Sequence, residues 1–379
     1  MRFLNQTAQP TIRFGVIGLG YVAQSAILPA FSHTRKVAEL TALISSDPTK
    51  LRELGARHGV THLYDQTDFD AALAANTFDA VYIAVPNSCH CDFALRAAIA
   101  GKHILCETPL ALTSAECKEM IRVAQEHHVR LMVGYRLHFE RSNMRASAIV
   151  RSGEIGIPRI VDAVVSMQLE DESPRTRRQL FGGPMYDIGI YGINASRYLF
   201  RAEPIRVTAL ASELLDPRFS DVPALESAIL DFGSGRLATI TASYGSTLTS
   251  YFNVIGTAGT VRLSPAFDHN TPLTLEITTA AGVEREHYPT VDQFAPEIIE
   301  FARCITEHTE PESSGLEGLA DVRIIEALER SASTGRRVEL ADFKKPRRPD
   351  LSQTAQIAPM KNSHPLVHAH PPGRSTRGG

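Results

Sequence analysis

Cysteine is scarce in this chain, five in 379 residues, and the five (Cys89, Cys91, Cys106, Cys117 and Cys304) form an odd, scattered set. That excludes a disulfide framework as the source of stability. Cys89-His90-Cys91 crowds three metal-ligating types too tightly for a usual zinc site, and no second Cys or His pair stands at suitable spacing. No metal is expected. Long apolar runs are missing too: no stretch approaches the length of a membrane span, and Met1 to Pro10 is short and polar. The formal net charge is only −3, which implies neither a nucleic-acid surface nor a membrane patch. No internal repeat is visible. These absences leave a soluble globular protein, cytoplasmic by default, whose 379 residues are too many for one ordinary core.

What is present is an apolar run, Phe14-Gly15-Val16-Ile17, ending in Gly18-Leu19-Gly20-Tyr21-Val22-Ala23, with Ala26, Ile27, Leu28 and Ala30 following at helical spacing. This is the strand–turn–helix of a dinucleotide-binding unit. Gly18 permits the tight turn, Gly20 lets a pyrophosphate approach the backbone, and Ala23 lets the helix pack on the strand. The first helical N–H groups then face the phosphates.

From residue 12 to about 134, apolar runs at 12–17, 38–44, 79–85, 103–106 and 130–133 alternate with helical stretches at 47–58, 68–75, 90–100 and 113–128. Such alternation predicts a parallel sheet covered on both faces, with ligands at the carboxyl ends of its strands. At the second strand end an NAD site usually carries an acidic residue. Here stand Ser45 and Ser46, with Lys50 on the next turn and Asp47 reading as a helix N-cap before Pro48. A hydroxyl and a cation suit a 2′-phosphate, which favours NADP over NAD.

After Tyr135-Arg136-Leu137-His138-Phe139-Glu140 the pattern changes to alternation by twos, at about 159–169, 205–212, 226–232, 236–244, 251–256, 259–263 and 272–279. This predicts a mostly antiparallel sheet with one face on helices (141–152, 186–200, 292–307 and 315–333) and the other free for a partner. The expected organisation is a dinucleotide-binding (Rossmann) domain over 1–134, an open-sheet domain for substrate and oligomerisation over 135–343, and a disordered basic tail over 344–379. The fold class is α/β plus α+β.

Four stretches carry a resemblance: Gly18 to Ala23, Pro86-Asn87-Ser88-Cys89-His90, Glu107-Thr108-Pro109, and Gly182-Gly183-Pro184-Met185-Tyr186-Asp187-Ile188-Gly189-Ile190-Tyr191. With them, residues 12–340 resemble the glucose–fructose oxidoreductase/inositol dehydrogenase (Gfo/Idh/MocA) family, nearest its glucose–fructose oxidoreductase branch. The resemblance implies hydride transfer between a nicotinamide and a carbon of a sugar or polyol, in a homodimer or homotetramer. It implies a cofactor site of Gly18, Gly20, Tyr21, Val22, Ser45, Ser46, Lys50, Pro86, Asn87, His90, Glu107 and Arg136. Tyr135, His138, Asp187 and Tyr191 are implied at the substrate, with Tyr191, Asp187 and Thr108 at the chemistry.

The residues support the last pair independently. Asp187 and Tyr191 lie four apart at a helix start, so they share one face. Hydride transfer at a carbinol carbon needs a partner for the hydroxyl proton, and a phenol serves when a nearby cation stabilises its anion. The family pattern at the fourth strand end is Glu-Lys-Pro, whose Lys lies between nicotinamide and substrate. This chain has Thr108, which carries no charge, and Lys102 falls at the opposite end of the sheet. Phe181 also stands where relatives often have Gly. Two readings follow: an oxidoreductase that is slow or uses Tyr191 with Asp187 or His138, and a catalytically silent binder of cofactor and sugar.

Overall fold

The computed structural model describes residues 10–212, 216–359 and 364–373. The first half is β1 (Ile12–Ile17), α1 (Leu28–Thr34), β2 (Ala38–Ser45), α2 (Pro48–His58), β3 (His62–Asp65), α3 (Phe69–Ala74), β4 (Ala80–Ile83), α4 (His90–Ile99), β5 (His103–Cys106), α5 (Ser114–Glu126) and β6 (Leu131–Val133). The six strands form a parallel sheet in the order β3-β2-β1-β4-β5-β6. The order reverses between β1 and β4, so their carboxyl ends open the crevice where such sheets bind ligands. β1, β4 and β5 are almost wholly buried, as their continuous apolar runs require. β3 escapes the sequence pattern because it is a four-residue edge strand with no buried position.

The second half is α6 (Arg141–Ser152), β7 (Pro158–Gln168), α7 (Arg178–Phe181), α8 (Ile190–Phe200), β8 (Arg206–Ser212), β9 (Leu225–Asp231), β10 (Leu237–Ser243), β11 (Gly245–Gly256), β12 (Gly259–Ser264), β13 (Leu273–Thr279), β14 (Gly282–Tyr288), α9 (Ala295–Thr306), α10 (Gly315–Thr334) and β15 (Val338–Glu339). Nine strands pair in the order β14-β13-β12-β11-β7-β10-β9-β8-β15, antiparallel except for β7 with β10. Alternation along β7 sends Val161, Ala163 and Val165 inward, against α8. Gly192 lets α8 come close: a Cβ there would stand 3.0 Å from Ile240 and 3.2 Å from Ala163.

Two features depart from the sequence reading. First, α9 returns to the first sheet, where Ile298 and Phe301 join the core of Phe14 and Phe31. Its apolar stripe was legible, but the partner of the stripe was not. Second, the tail is packed in its described residues, not disordered. Lys345 ion-pairs with Glu312 and, at 2.6 Å, with Glu317; Arg348 reaches Glu203 at 2.6 Å. The Ile357 carbonyl accepts the Asp292 N–H (2.9 Å), and Val367 is buried. A segment without apolar periodicity docks here because its cations neutralise carboxylates that the body buries. The expected tail residues 360–363 and 374–379 lie outside the described residues.

Candidate active site

β1 delivers the chain into the glycine turn. Gly18 adopts φ +90°, and a Cβ there would sit 2.4 Å from the Ala84 carbonyl oxygen, so no other residue fits between β1 and the β4 end. A Cβ on Gly20 would project into open space at the helix mouth, the cradle a pyrophosphate needs. Tyr21 and Val22 lead into a π-type turn (Ala23–Ile27) before α1. At the β2 end, Asp47 caps α2 by accepting the N–H groups of Thr49 (2.9 Å) and Lys50 (3.2 Å), as the sequence reading had it. Its other oxygen meets His368 Nδ1 at 2.7 Å, which holds the carboxyl below its ordinary range. The Ser45 hydroxyl accepts the Asp47 N–H (3.2 Å), while Ser46 is exposed beside it.

The two following strand-end loops are tied together. Pro86 leads into Asn87, whose amide donates to the Phe181 carbonyl at 2.9 Å, closing the β4 loop against α7. His90 is fully buried with Nδ1 2.8 Å from the Pro109 carbonyl and Nε2 3.0 Å from that of Val85. Burial depresses its basicity, so the neutral ring donates to one of the two. The ring braces the β4 and β5 ends and, being fully buried, exposes no nitrogen to a cofactor, which departs from its expected role. Glu107 accepts the Tyr82 hydroxyl at 2.8 Å, and the same hydroxyl lies 2.5 Å from Glu297. One phenol proton cannot serve two carboxylates, and burial raises both acids, Glu297 well above the ordinary range. Glu297 therefore holds the second proton.

Beyond β6 the chain folds into the contact between the two sheets, and there two expected substrate residues are spent. Tyr135 is buried and donates to Asp321 at 2.6 Å. His138 is fully buried between Glu312 and Asn194, 2.8 Å from each. Both belong to a charged network in which buried Arg197 holds Glu317 and Asp321 at 2.7 Å and Glu203 at 2.8 Å. In this arrangement the Tyr135 hydroxyl and both His138 ring nitrogens are taken up by core partners, so the geometry departs from these two expectations. Arg136 is buried as well. Its guanidinium donates to Gln293 and to the Phe267 carbonyl (2.6 Å) and lies 5.3 Å from the centre of the Tyr191 ring.

Asp187 and Tyr191 both lie at the start of the α8 segment. Asp187 lies in a π-type turn (Met185–Gly189) that runs into α8, where Tyr191 follows half-buried, stacked on Phe267 at 6.1 Å. Asp187 ion-pairs with Arg175 and accepts the Tyr244 hydroxyl at 2.8 Å. Arg175 is four-fifths buried and lies 5.5 Å from the Phe181 ring centre. Arg175 thus joins Asp187 to Phe181, the residue on which the Asn87 loop is fastened, while Tyr191, four residues after Asp187, packs on Arg136 and Phe267. Arg175, Tyr244 and Phe267 had no signal in the sequence. Arg175 sits in a charged run that reads as a solvated loop, and the other two lie in or just after sheet strands.

Residues 12–135 match the model of the oxidoreductase family with an NAD-binding Rossmann fold, and residues 143–262 match the GFO/IDH/MocA C-terminal domain. The chain belongs to the GFO/IDH/MocA oxidoreductase family. The D-xylose 1-dehydrogenase [NADP(+)] of Haloarcula marismortui is 33% identical over 337 residues, 87% of this chain and 93% of that one. An aldose–aldose oxidoreductase from Caulobacter crescentus, solved with glycerol, superposes with a TM-score of 0.83 at 35% identity, covering 87% of this chain and all of that one. A 3-ketoreductase from Actinomadura kijaniata, solved with NADP and TDP-benzene, gives 0.79 at 25% identity over 85% of this chain and 98% of its own.

In this GFO/IDH/MocA member the π-type turn is held from behind. Buried Glu226 accepts the Met185 N–H at 3.1 Å, and burial with the nearby Glu329 charge pushes its carboxyl up to about 7. A folded-state value above the ordinary 4.5 means that the folded form binds the proton more tightly, so stability declines as pH rises from about 4.5 to about 7. Glu226→Gln keeps an acceptor without the charge. The variant should equal the wild type near pH 4 and exceed it at pH 8 by on the order of 1–3 kcal/mol in urea unfolding. Equal stability at both pH values would show that Glu226 is charged without cost. Among the described residues no cluster of His, Cys, Asp and Glu could hold a metal, and no helix is long and apolar enough to cross a membrane.

Proposed function

We propose that this chain binds NADP(H) and moves hydride between it and a carbinol carbon of a sugar or polyol. The observation that carries this is the convergence of Tyr191, Asp187, Arg175 and Arg136 beside the Asn87 loop. The names of the xylose dehydrogenase and aldose–aldose oxidoreductase relatives support a sugar. When bound, the nicotinamide supplies or accepts the hydride. Tyr191 passes the hydroxyl proton, Asp187 orients the substrate hydroxyls, and the two arginines stabilise negative charge growing on oxygen. Phe267 closes the apolar side of the phenol. Thr108, at the position where the resemblance implies Lys, supplies no charge; a silent binder is the competing reading. Single-turnover mixing with aldoses decides between them: absorbance at the nicotinamide band changes in the first and stays flat in the second.

NADP is preferred because the Asp47 carboxylate at the β2 end is occupied by the α2 cap and by His368, leaving Ser45, Ser46 and Lys50 to meet a 2′-phosphate. Titration should show NADPH binding more tightly than NADH, and Lys50→Ala should weaken NADPH alone by about ten-fold to a hundred-fold. Equal affinities for the two nucleotides would remove the 2′-phosphate argument.

We further propose a homodimer or homotetramer built through the outer sheet face. Ile255, Ile160, Leu237, Ile229 and Leu210 lie exposed on five adjacent strands, with Ile160 directly between Leu237 and Ile255. An apolar stripe of this extent is a partner surface. Light scattering at micromolar concentration should give the mass of two or four chains, and Leu237→Asp should lower it. A single-chain mass would rule the interface out.

A further inference from the structure

Val367 is fastened to the dinucleotide turn itself. Its N–H donates to Gln24 Oε1 and its carbonyl accepts Gln24 Nε2, each at 2.8 Å, while Gln24 Nε2 also donates to the carbonyl of Leu19 at 2.9 Å. Leu19 is the middle residue of Gly18-Leu19-Gly20, and the Val367 side chain packs in the same apolar cluster. The next residue, His368, meets Asp47 at the β2 end, where the adenosine half of a dinucleotide lies. Five residues on, Gly373 pairs with Leu169 just past β7, and Leu169 donates its N–H to the carbonyl of Tyr244, the residue that holds Asp187. Six residues therefore run from the cofactor turn to the substrate side. Their extended reach is roughly 20 Å, and the Pro371-Pro372 pair stiffens the span.

We propose that residues 364–373 form the outer wall of the dinucleotide site and hold the nucleotide on the protein. This rests on the reading that the chain binds NADP(H). His368 occupies the Asp47 carboxylate at the β2 end, Val367 fixes the wall to the glycine turn, and Gly373 anchors its far end on the second sheet. A nucleotide seated beneath it leaves only when one of these attachments opens.

The test is the dissociation rate of NADPH, followed by fluorescence after mixing the complex with excess NADP+. Three proteins are compared: the full chain, a chain ending at residue 359, and the full-length Val367→Asp variant, whose carboxylate cannot enter the apolar cluster. Release should be about ten-fold faster or more in both altered proteins, as expected for losing a pair of buried hydrogen bonds and the packing beside them. The Val367→Asp variant keeps the rest of the fold, so a truncation that fails to fold still leaves a measurement. Rates within two-fold of the full chain, or slower release, would overturn the wall; slower release would instead make the segment a competitor for the site. Failure of the full chain itself to bind NADPH overturns the functional reading, a result distinct from binding that is indifferent to the tail.

Discussion

Tyr191→Phe should lower kcat by about 10²–10⁴-fold on any aldose the wild type turns over, with NADPH affinity unchanged within a few-fold. The substitution removes one hydroxyl and nothing else. The ring keeps its stack on Phe267 and its place over the Arg136 guanidinium, so the fold has no reason to move. What disappears is the atom proposed to pass the substrate proton as the hydride leaves or arrives. Without it the alkoxide must form against bulk water in a half-enclosed place, which is the loss that general acid–base catalysis normally avoids. A wild-type rate in the variant would transfer the proton role elsewhere. His138 is not available for it, because both its nitrogens are bonded in the core.

The Rossmann half was legible because its signals are local. Each strand is an apolar run, each helix an amphipathic one, and Gly18 is required by a clash with Ala84 that the glycine spacing anticipates. The second sheet was legible through alternation, and its one parallel pairing, β7 with β10, was not, because register depends on which strands meet and not on any strand alone. In the site, Asp187 and Tyr191 could be paired from a four-residue spacing. Tyr135 and His138 look identical on paper to substrate residues. Only the packing of α8, α10 and the segment leading into α10 around them shows that Asp321, Glu312 and Asn194 take up their polar atoms. Arg175 and His368 were invisible for the opposite reason. Each lies in a stretch without periodicity, where sequence patterns say only that the residue is polar, and each gains its role from a partner that no local pattern links to it, Asp187 or Asp47.

Arg175→Ala should lower kcat by about 10²–10³-fold, the usual cost of losing one charge aimed at a developing oxyanion. The resemblance implies an ammonium at position 108; here a threonine stands there, and the guanidinium of Arg175 is a cation bonded to Asp187, four residues before Tyr191. The substitution also leaves Asp187 held by Tyr244 without the guanidinium, so a displaced carboxylate would give the same loss. A second variant separates the causes. Thr108→Lys placed in the Arg175→Ala background should recover about ten-fold or more of the lost rate, since it restores a charge near the same oxygen without restoring the bond to Asp187. In the wild-type background the same Thr108→Lys should gain little, because a cation is already in place. If instead Thr108→Lys alone raises turnover ten-fold while Arg175→Ala changes only KM, Arg175 holds substrate through Asp187 and the missing ammonium is uncompensated. Arg175→Lys adds the discriminating control: it keeps the charge but loses the planar fork, so kcat should stay within about ten-fold of wild type while the charge-free variant falls further.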